Sequence, residues 1–170
     1  LSGIELPDSL QLDFQDRTLC LQYQSSERAR LIVTGESLII QHQTPQQAIQ
    51  LLRNWIRTEA TQHLPPELAR LAQQLGLDYK KTSIRSQKSR WGSCSSSGTI
   101  SLNDQLLFMP KTTVRYLMIH ELCHTRHMNH SAAFWRLVGE CCPDFRIHDA
   151  ALSKARERIP AWFSRSLFSG

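Results

Sequence analysis

The sequence predicts an α+β fold, in which groups of strands and groups of helices follow one another along the chain. Between residues 10 and 43, apolar and polar residues alternate in short bursts, which is typical of half-buried strands. From residue 45 to residue 76, apolar residues recur instead at helical spacing. The strand-like segments TSIRSQ and GTISLN then precede a further helical region, so the predicted order is strands, helices, a strand pair and helices.

The first 44 residues are predicted to form an antiparallel, β-rich N-terminal lobe. The bursts LQLDF, LCLQYQ, ARLIVTG and SLIIQHQ are separated by the turn-forming segments QDR, SSER and GE, which indicates three or four strands. A chain of 170 residues favours one domain with a small appended lobe over two full domains. Residues 1–44 are therefore assigned to the lobe and residues 45–170 to the main domain.

Capping residues and apolar spacing predict five helices in the main domain. Thr44 suits an N-cap and Pro45 the first helical position, whereas Gly76 suits a C-terminal cap. The prolines at positions 65 and 66 are expected to start a second helix for the same reason as Pro45. The predicted helices span about residues 45–62, 65–76, 110–126, 132–142 and 147–158.

The composition excludes several classes of protein. With 41% hydrophobic and 21% charged residues, the chain is typical of soluble globular proteins rather than of disordered or fibrous ones. No stretch approaches the roughly 18 apolar residues that a membrane-spanning helix needs. No membrane association is therefore expected, and the expected location is the cytoplasm. Five cysteines without a regular spacing favour a reducing compartment, and the adjacent Cys141 and Cys142 are expected to be core thiols.

The segment HELCH, residues 120–124, is an HExxH motif inside a predicted helix. Because residues four apart are separated by about 400° of helical rotation, His120 and His124 project from one face and can share a metal ion. Glu121 lies about 100° around the helix from His120, where it can hold and deprotonate a water molecule instead of ligating. The apolar flank VRYLMI predicts a buried helix, on which unpartnered histidine and glutamate side chains would be costly.

Two more histidines follow, and helical geometry separates them as candidates for a third ligand. On a continued helix, seven residues of rise put His127 about 10 Å from His120 along the axis, too far for one ion to bind both rings and His124. His130 can reach the ion only if the chain turns back after this helix. The segment HMNHS favours such a turn, because asparagine tolerates a left-handed backbone conformation and the final serine suits an N-cap.

His120, His124 and His130 are therefore the predicted ligands of one zinc ion, and the fourth position is left for water, as in catalytic zinc sites. Cys123 points to another face of the helix and is expected to pack in the core. Cys94 lies in a predicted turn from which it could approach the site. A structural zinc site with histidine and cysteine ligands is therefore a minor alternative.

The segment SRWGSCSSSGTISLN, followed by HELCHTRHMNHSAAFW and then PDF, resembles the YgjP-like family of predicted metal-dependent hydrolases, relatives of the SprT-like and WLM metallopeptidases. Those families share an HExxH motif, five further residues, a third histidine and a nearby Phe-Trp pair. Here the pattern comprises His120, Glu121, His124, His130, Phe134 and Trp135. The close match covers roughly residues 80–147, whereas residues 1–62 contain no motif that identifies the family.

The resemblance implies a zincin-like metallopeptidase fold for residues 45–170, with an active-site helix, a short sheet against it and a second helix that brings in the third histidine. It also implies that residues 98–102 form an edge strand beside the cleft, which would pair with an extended peptide main chain to main chain. The residues expected to bind the substrate are Arg90, Gly98, Thr99, Ile100 and Ser101. Two alternatives are that RWGSC is merely a tight turn with a buried tryptophan and that Arg90 is simply solvated.

The leading functional prediction is a zinc-dependent peptidase that cleaves peptide or protein substrates. The zinc ion would polarise the scissile carbonyl and acidify a water molecule, and Glu121 would pass the proton of that water to the leaving amine. Tyr116, one turn before His120, is expected to pack rather than to act as an acid. Glu121 is therefore the one catalytic acid or base that the sequence identifies.

Two other functions remain open. A metal-dependent nucleoside triphosphate pyrophosphohydrolase would use the net charge of +5 and the basic residues Arg85, Lys88 and Arg90 to bind phosphates. Three histidines favour zinc, however, whereas phosphate chemistry usually uses magnesium on carboxylates. A non-enzymatic, zinc-stabilised binding domain is the third alternative. The charge also permits association with nucleic acid, although no DNA-binding module is recognisable.

Overall fold

A computed structural model describes the backbone of residues 3–168 and the side chains of residues 3–164. Two small sheets and five α-helices make up this part of the chain, which confirms the α+β class. The strands are β1 (Ser9–Leu12), β2 (Arg17–Ser25), β3 (Arg30–Thr34), β4 (Ser37–His42), β5 (Lys81–Arg85), β6 (Gly92–Cys94) and β7 (Thr99–Asn103). The helices are α1 (Pro45–Leu75), α2 (Lys111–Cys123), α3 (Ala132–Cys141), α4 (Phe145–Ser153) and α5 (Ala161–Phe168). No helix in the described residues is both long and apolar enough to cross a membrane.

The N-terminal sheet has the strand order β1-β2-β4-β3. The pairs β1–β2 and β3–β4 are antiparallel, but β2 and β4 run parallel, so the prediction of a purely antiparallel lobe is wrong. The hairpin of β3 and β4 pairs with β2 through β4, so β4 is a central strand and β3 is an edge strand. This placement buries Leu38 and Ile40 of β4 in the same core as Leu19 and Leu21 of β2. Alternation identified the strands, but it does not specify which strands pair.

Helix α1 is one helix of 31 residues, not the two helices that were predicted on either side of Pro65. Its ends agree with the prediction, because the side chain of Thr44 accepts a hydrogen bond from the backbone of Gln47 and Gly76 adopts a φ of 65°. The interior prolines each cost a helix about 3 kcal/mol. A continuous apolar face offsets this cost, since fully buried side chains recur every four residues at Leu52, Ile56, Ala60, Leu64 and Leu68.

The second sheet has the order β5-β7-β6, with β5 parallel and β6 antiparallel to β7. Strand β7 is therefore central, and the prediction that residues 98–102 form an edge strand is wrong. The edges are β5 and β6, and β6 is a strand of three residues inside the segment that was predicted to be a turn. The turn itself occupies Ser95 to Gly98, where Gly98 adopts a φ of 89° and its N–H donates to the carbonyl of Ser95 at 3.0 Å.

The C-terminal helices follow the predicted order. After α2, the N–H groups of Thr125 and Arg126 donate to carbonyls three residues earlier, which tightens the last turn and ends the helix. The side-chain oxygen of Ser131 then accepts a hydrogen bond from the N–H of Phe134 at 3.2 Å and caps α3. Helix α4 ends at Ser153, earlier than predicted, and a short 3-10 turn follows it.

One hydrophobic cluster joins both parts of the chain. It contains Leu10 of β1, Leu38 of β4, Leu64 of α1, Ile100 of β7 and Met118 of α2. Helix α1 contacts strands of both sheets as well as α2, and so lies between the N-terminal sheet and the helix with the HExxH motif. The division into a lobe and a main domain at residue 44 stays a prediction, and buried side chains on both sides of it share this cluster.

Candidate metal centre

Three histidine rings converge at the end of α2. His120 lies in the last turn of α2, His124 lies at its C-terminal cap, and His130 lies on the loop before α3. The Nε2 atom of His130 is 3.2 Å from Nε2 of His124 and 3.3 Å from Nε2 of His120. In a tetrahedral zinc site with Zn–N bonds of 2.0–2.1 Å, ligand nitrogens lie about 3.3 Å apart. Two separations therefore match one zinc-sized ion, and all three residues offer donor atoms within 4.8 Å of one another.

The chain reverses between His124 and His130, as the sequence predicted. This reversal brings the ring of His130 back to the other two, whereas the half-buried ring of His127 lies outside the cluster. His127 contributes through its backbone instead, because its carbonyl oxygen is 2.9 Å from Nδ1 of His124. A proton on that Nδ1 leaves Nε2 free to bind a metal. No sequence pattern predicted this backbone contact.

Aromatic side chains from α3 hold the three rings in place. The ring of Phe134 is fully buried and stacks on His124 with a centroid distance of 4.3 Å and an interplanar angle of 17°. Its edge contacts His120 at 5.0 Å, and Trp135 stacks on His130 at 5.8 Å. The Phe-Trp pair of the sequence motif therefore packs directly against the candidate ligands.

His120 is oriented by Tyr116 and by Asp149 of α4. The hydroxyl of Tyr116 donates a hydrogen bond to Oδ1 of Asp149 at 2.7 Å and lies 3.4 Å from Nδ1 of His120. Because its proton is committed to the carboxylate, the hydroxyl oxygen can accept a proton from Nδ1, which again leaves Nε2 for a metal. Tyr116 is buried as expected, but it also has this polar role. Asp149, 29 positions after His120, could not be found from sequence spacing.

The environment favours the neutral imidazole at His120 and His124. Burial, together with the neighbouring rings of His124 and His130, lowers the pKa of His120 to about 4. Burial also lowers the pKa of His124. Neutral imidazole is the form that binds metal ions, so no proton has to be displaced from these two Nε2 atoms near neutral pH.

Glu121 is the most unusual group of the site. Its side chain is only 6% exposed, and burial raises its pKa to about 7 although the positive charge of Arg90 lowers it. Its Oε2 atom is buried without a hydrogen-bond partner among the described residues. Buried carboxylate oxygens normally have partners, so this atom fits a site at which water or substrate supplies the missing proton.

Strand β6 packs directly over Glu121. A Cβ atom at Gly92 would lie 3.3 Å from Cγ of Glu121 and 3.1 Å from the carbonyl oxygen of Ser101. Glycine therefore allows the strand to approach α2 closely. Nearby, burial and the charge of Glu121 both raise the pKa of Cys94, but its thiol does not belong to the cluster of the three histidines.

The residues that were predicted to bind the substrate lie in two places. Arg90 is exposed and close enough to Glu121 to affect its pKa. The other four residues lie on or before the central strand β7, whose main-chain groups pair on both sides with β5 and β6. The carbonyl of Gly98, for example, accepts a hydrogen bond from Lys80 at 2.8 Å. Gly98, Thr99, Ile100 and Ser101 therefore do not form the free edge that peptide pairing needs.

Comparisons with known proteins match the chain to a family of metallopeptidase domains. The model of the YgjP-like metallopeptidase domain family matches residues 5–155, which include both sheets and the three histidines. No curated protein matches the chain significantly. Two similar solved structures are the metallopeptidase zymogens abylysin of Pyrococcus abyssi and jannalysin of Methanocaldococcus jannaschii. Abylysin is 27% identical over 54% of this chain and 94% of its own, with a TM-score of 0.48. Jannalysin is 18% identical over 56% and 96%, with a TM-score of 0.47.

Replacement of His130 by alanine is expected to weaken zinc binding by about 100-fold or more, because it removes one of three converging nitrogens. Replacement of His127 by alanine is the matched control. It should leave the affinity nearly unchanged, since alanine retains the backbone carbonyl that contacts His124. Competition with a chromophoric chelator measures both affinities, and the opposite ranking would contradict the choice of ligands.

The substitution Tyr116→Phe is expected to lower zinc affinity by roughly 10- to 100-fold, because Nδ1 of His120 loses its acceptor. Tyr23→Phe is a suitable control. It removes another tyrosine hydroxyl, whose 2.6 Å hydrogen bond to the carbonyl of Pro7 lies in the N-terminal sheet. Chelator competition measures the zinc affinity of both variants, and thermal unfolding measures the loss of stability that the removal of a tyrosine hydroxyl causes. Equal zinc affinities in the two variants would show that Tyr116 only packs.

The buried carboxyl of Glu121 should make the stability of the metal-free protein depend on pH. Its pKa is about 7 in the folded protein against a reference of 4.5, so the unfolded chain ionises first as the pH rises. The folded state therefore loses stability through this interval, by roughly 3 kcal/mol once the pH exceeds about 7. The variant Glu121→Gln lacks the ionisation and should become more stable than the unsubstituted protein over the same interval.

Urea unfolding of the metal-free proteins at several pH values measures this difference. Glu140→Gln, on the exposed side of α3, is the control and should show no such trend. A stability difference for Glu121→Gln that stays constant from about pH 4 to about pH 8 would contradict the raised pKa.

Proposed function

The chain belongs to the YgjP-like family of metallopeptidase domains, and we propose that it is a zinc-dependent peptidase in which Glu121 is the general base. One observation carries this proposal. Three imidazole rings converge, with two Nε2 separations that match a tetrahedral zinc site, beside a buried glutamate whose Oε2 has no hydrogen-bond partner among the described residues. A site of this kind has room for an ion and for a water molecule that the carboxylate deprotonates.

The donor set supports zinc as the metal. Imidazole nitrogen suits zinc, whereas magnesium and calcium prefer oxygen ligands. Three protein ligands leave a fourth position open, which is typical of catalytic rather than structural zinc sites. When bound, zinc would supply the Lewis acidity that polarises a carbonyl group and lowers the pKa of water to about 7.

The residues of the chain would then carry out the proton transfers. Oε2 of Glu121 accepts a proton as the water oxygen adds to the carbonyl carbon of the scissile bond. The same carboxyl group returns that proton to the amide nitrogen as the carbon–nitrogen bond breaks. A carboxyl group whose pKa is raised by burial suits both steps, because the group must bind the proton and then release it. Tyr116, Asp149 and the carbonyl of His127 keep the rings in the orientation that the site requires.

Strand β6 supports an extended peptide as the substrate. In the described residues it pairs with β7 on one side only, so its other edge has main-chain groups available for a further strand. Gly92 places this strand against Glu121. An extended peptide that pairs with β6 would therefore run beside the general base. This role replaces the one that was predicted for residues 98–102.

A nucleoside triphosphate pyrophosphohydrolase is the second candidate, and one observation favours it. The charge of Arg90 acts on Glu121, so a cation lies near the site and could bind a phosphate as well as a peptide carboxylate. The three histidine donors favour the peptidase, because phosphate transfer usually uses magnesium held by carboxylates. Assays of peptides and nucleoside triphosphates, each with zinc and with magnesium, distinguish these two candidates.

The substitution Glu121→Gln is expected to retain zinc but to lower peptide turnover by about 100- to 10,000-fold, because it removes the general base. Glu140→Gln is the control, since it makes the same chemical change at an exposed position of α3. Metal content by mass spectrometry and kcat on a peptide library give the two readouts. Full activity of Glu121→Gln on a confirmed substrate would contradict the role of Glu121. A protein that turns over no substrate in either form, but binds zinc and its partner equally well in both, would instead be a zinc-stabilised binding domain.

A further inference from the structure

A second cluster of metal-binding side chains lies between the end of α3 and the first turn of α4. Its members are Cys142, Asp144 and His148, and their donor atoms all lie within 4.8 Å of one another. The thiol of Cys142 is 3.4 Å from Oδ1 of Asp144. Nε2 of His148 is 3.0 Å from Oδ2 of the same carboxylate. None of these residues belongs to the three-histidine site.

We propose that this cluster is a second metal site, which binds zinc or a divalent cation with similar ligand preferences. Thiolate, carboxylate and imidazole are the three kinds of protein ligand that zinc uses. For tetrahedral zinc, the sulfur and the nitrogen would each lie about 3.4 to 3.6 Å from the carboxylate oxygen. The thiol and the imidazole contact different oxygens of Asp144, at 3.4 and 3.0 Å, and one donor atom of each residue lies within 4.8 Å of the others. Side-chain rotations would therefore have to bring the three donors to a single ion.

The backbone brings the three donors together over seven residues. Proline at position 143 restricts the chain between Cys142 and Asp144. Asp144 is the N-cap residue of α4, and His148 follows one turn later on the same side. The side chain of Asp144 is 60% exposed, whereas that of His148 is 18% exposed and Cys142 is buried. Two donors are therefore held by the fold, and the third lies open to solvent where an ion can enter.

The charges of the cluster also suit a divalent cation. Without a metal, the carboxylate of Asp144 accepts one hydrogen bond from the thiol of Cys142 and one from the imidazole of His148. Binding of the cation forms a metal–thiolate bond and releases the thiol proton to solvent. The thiolate and the carboxylate then carry two negative charges, which neutralise the ion. The nearby positive charge of Arg115 is engaged by Glu67, whose Oε1 lies 3.5 Å away.

The second site also lies next to the residues that orient His120. The ring of His148 stacks on Tyr116 with a centroid distance of 6.4 Å and an interplanar angle of 26°. Asp149, the next residue, accepts the hydrogen bond of the Tyr116 hydroxyl. An ion at the second site would therefore fasten the first turn of α4, the helix that supplies Asp149.

Titration of the reduced, metal-free full chain with cobalt(II) tests the second site. The proposed catalytic site has only nitrogen ligands, so a thiolate-to-cobalt charge-transfer band in the near ultraviolet reports the second site alone. We expect two equivalents of cobalt to bind and this band to develop. Cys142→Ser should remove the band and lower the affinity for the second equivalent of cobalt by about 100-fold or more. Cys141→Ser, which changes the neighbouring thiol outside the cluster, should retain both.

Further variants keep the result interpretable. His148→Gln should also weaken the binding of the second equivalent of cobalt. This variant replaces Cys142→Ser as the test if Cys142→Ser does not fold. The double variant His120→Ala/His124→Ala should lose the first equivalent but keep the band, so failure of the proposed catalytic site is distinguishable from failure of the second site. A single equivalent without a band in the unsubstituted protein would overturn the proposal. So would a band that persists in Cys142→Ser.

Discussion

The desolvation of polar side chains on α2 determines how the other elements are arranged around the three histidines. Most of this helix lies in the hydrophobic core, so a histidine or glutamate on it loses hydration and needs a partner from elsewhere in the fold. His120 and His124 each have such a partner at Nδ1. Oε2 of Glu121 has none among the described residues. The side chain that carries this unpartnered oxygen lies beside the converging rings, with its other oxygen 4.0 Å from Nε2 of His120.

Local geometry was sufficient to predict which histidines meet. The rise of a helix separates His127 from His120, and a chain reversal capped by Ser131 brings His130 back, so both outcomes follow from a few residues of sequence. The contacts at the opposite ring nitrogens were not predictable in this way. Asp149 reaches the site because α4 packs on α2, and such packing depends on the whole core. The carbonyl of His127 carries no side-chain signal, because every residue type has one.

Strand pairing in the two sheets was likewise not predictable from local sequence. Alternation located the strands of the N-terminal sheet, but pairing between β2 and β4 is fixed by which arrangement buries more apolar surface. Strand β6 has only three residues in a segment rich in serine and glycine, so its composition indicated a turn. Its strand geometry comes from pairing with β7. In α1, local sequence favoured a break at Pro65, and tertiary burial of the leucines on either side outweighed it.

The position of β6 affects the pKa of Glu121 and, in the proposed function, the binding of the substrate. A solvated glutamate with a pKa near 4.5 holds a proton too weakly to take one readily from water. Burial raises the pKa of Glu121, and Arg90 and a cation at the histidines would both oppose this rise, because positive charge favours the carboxylate. Part of the burial comes from β6, which Gly92 allows to contact the side chain of Glu121. The strand that we propose to pair with a peptide therefore also removes water from the proposed general base.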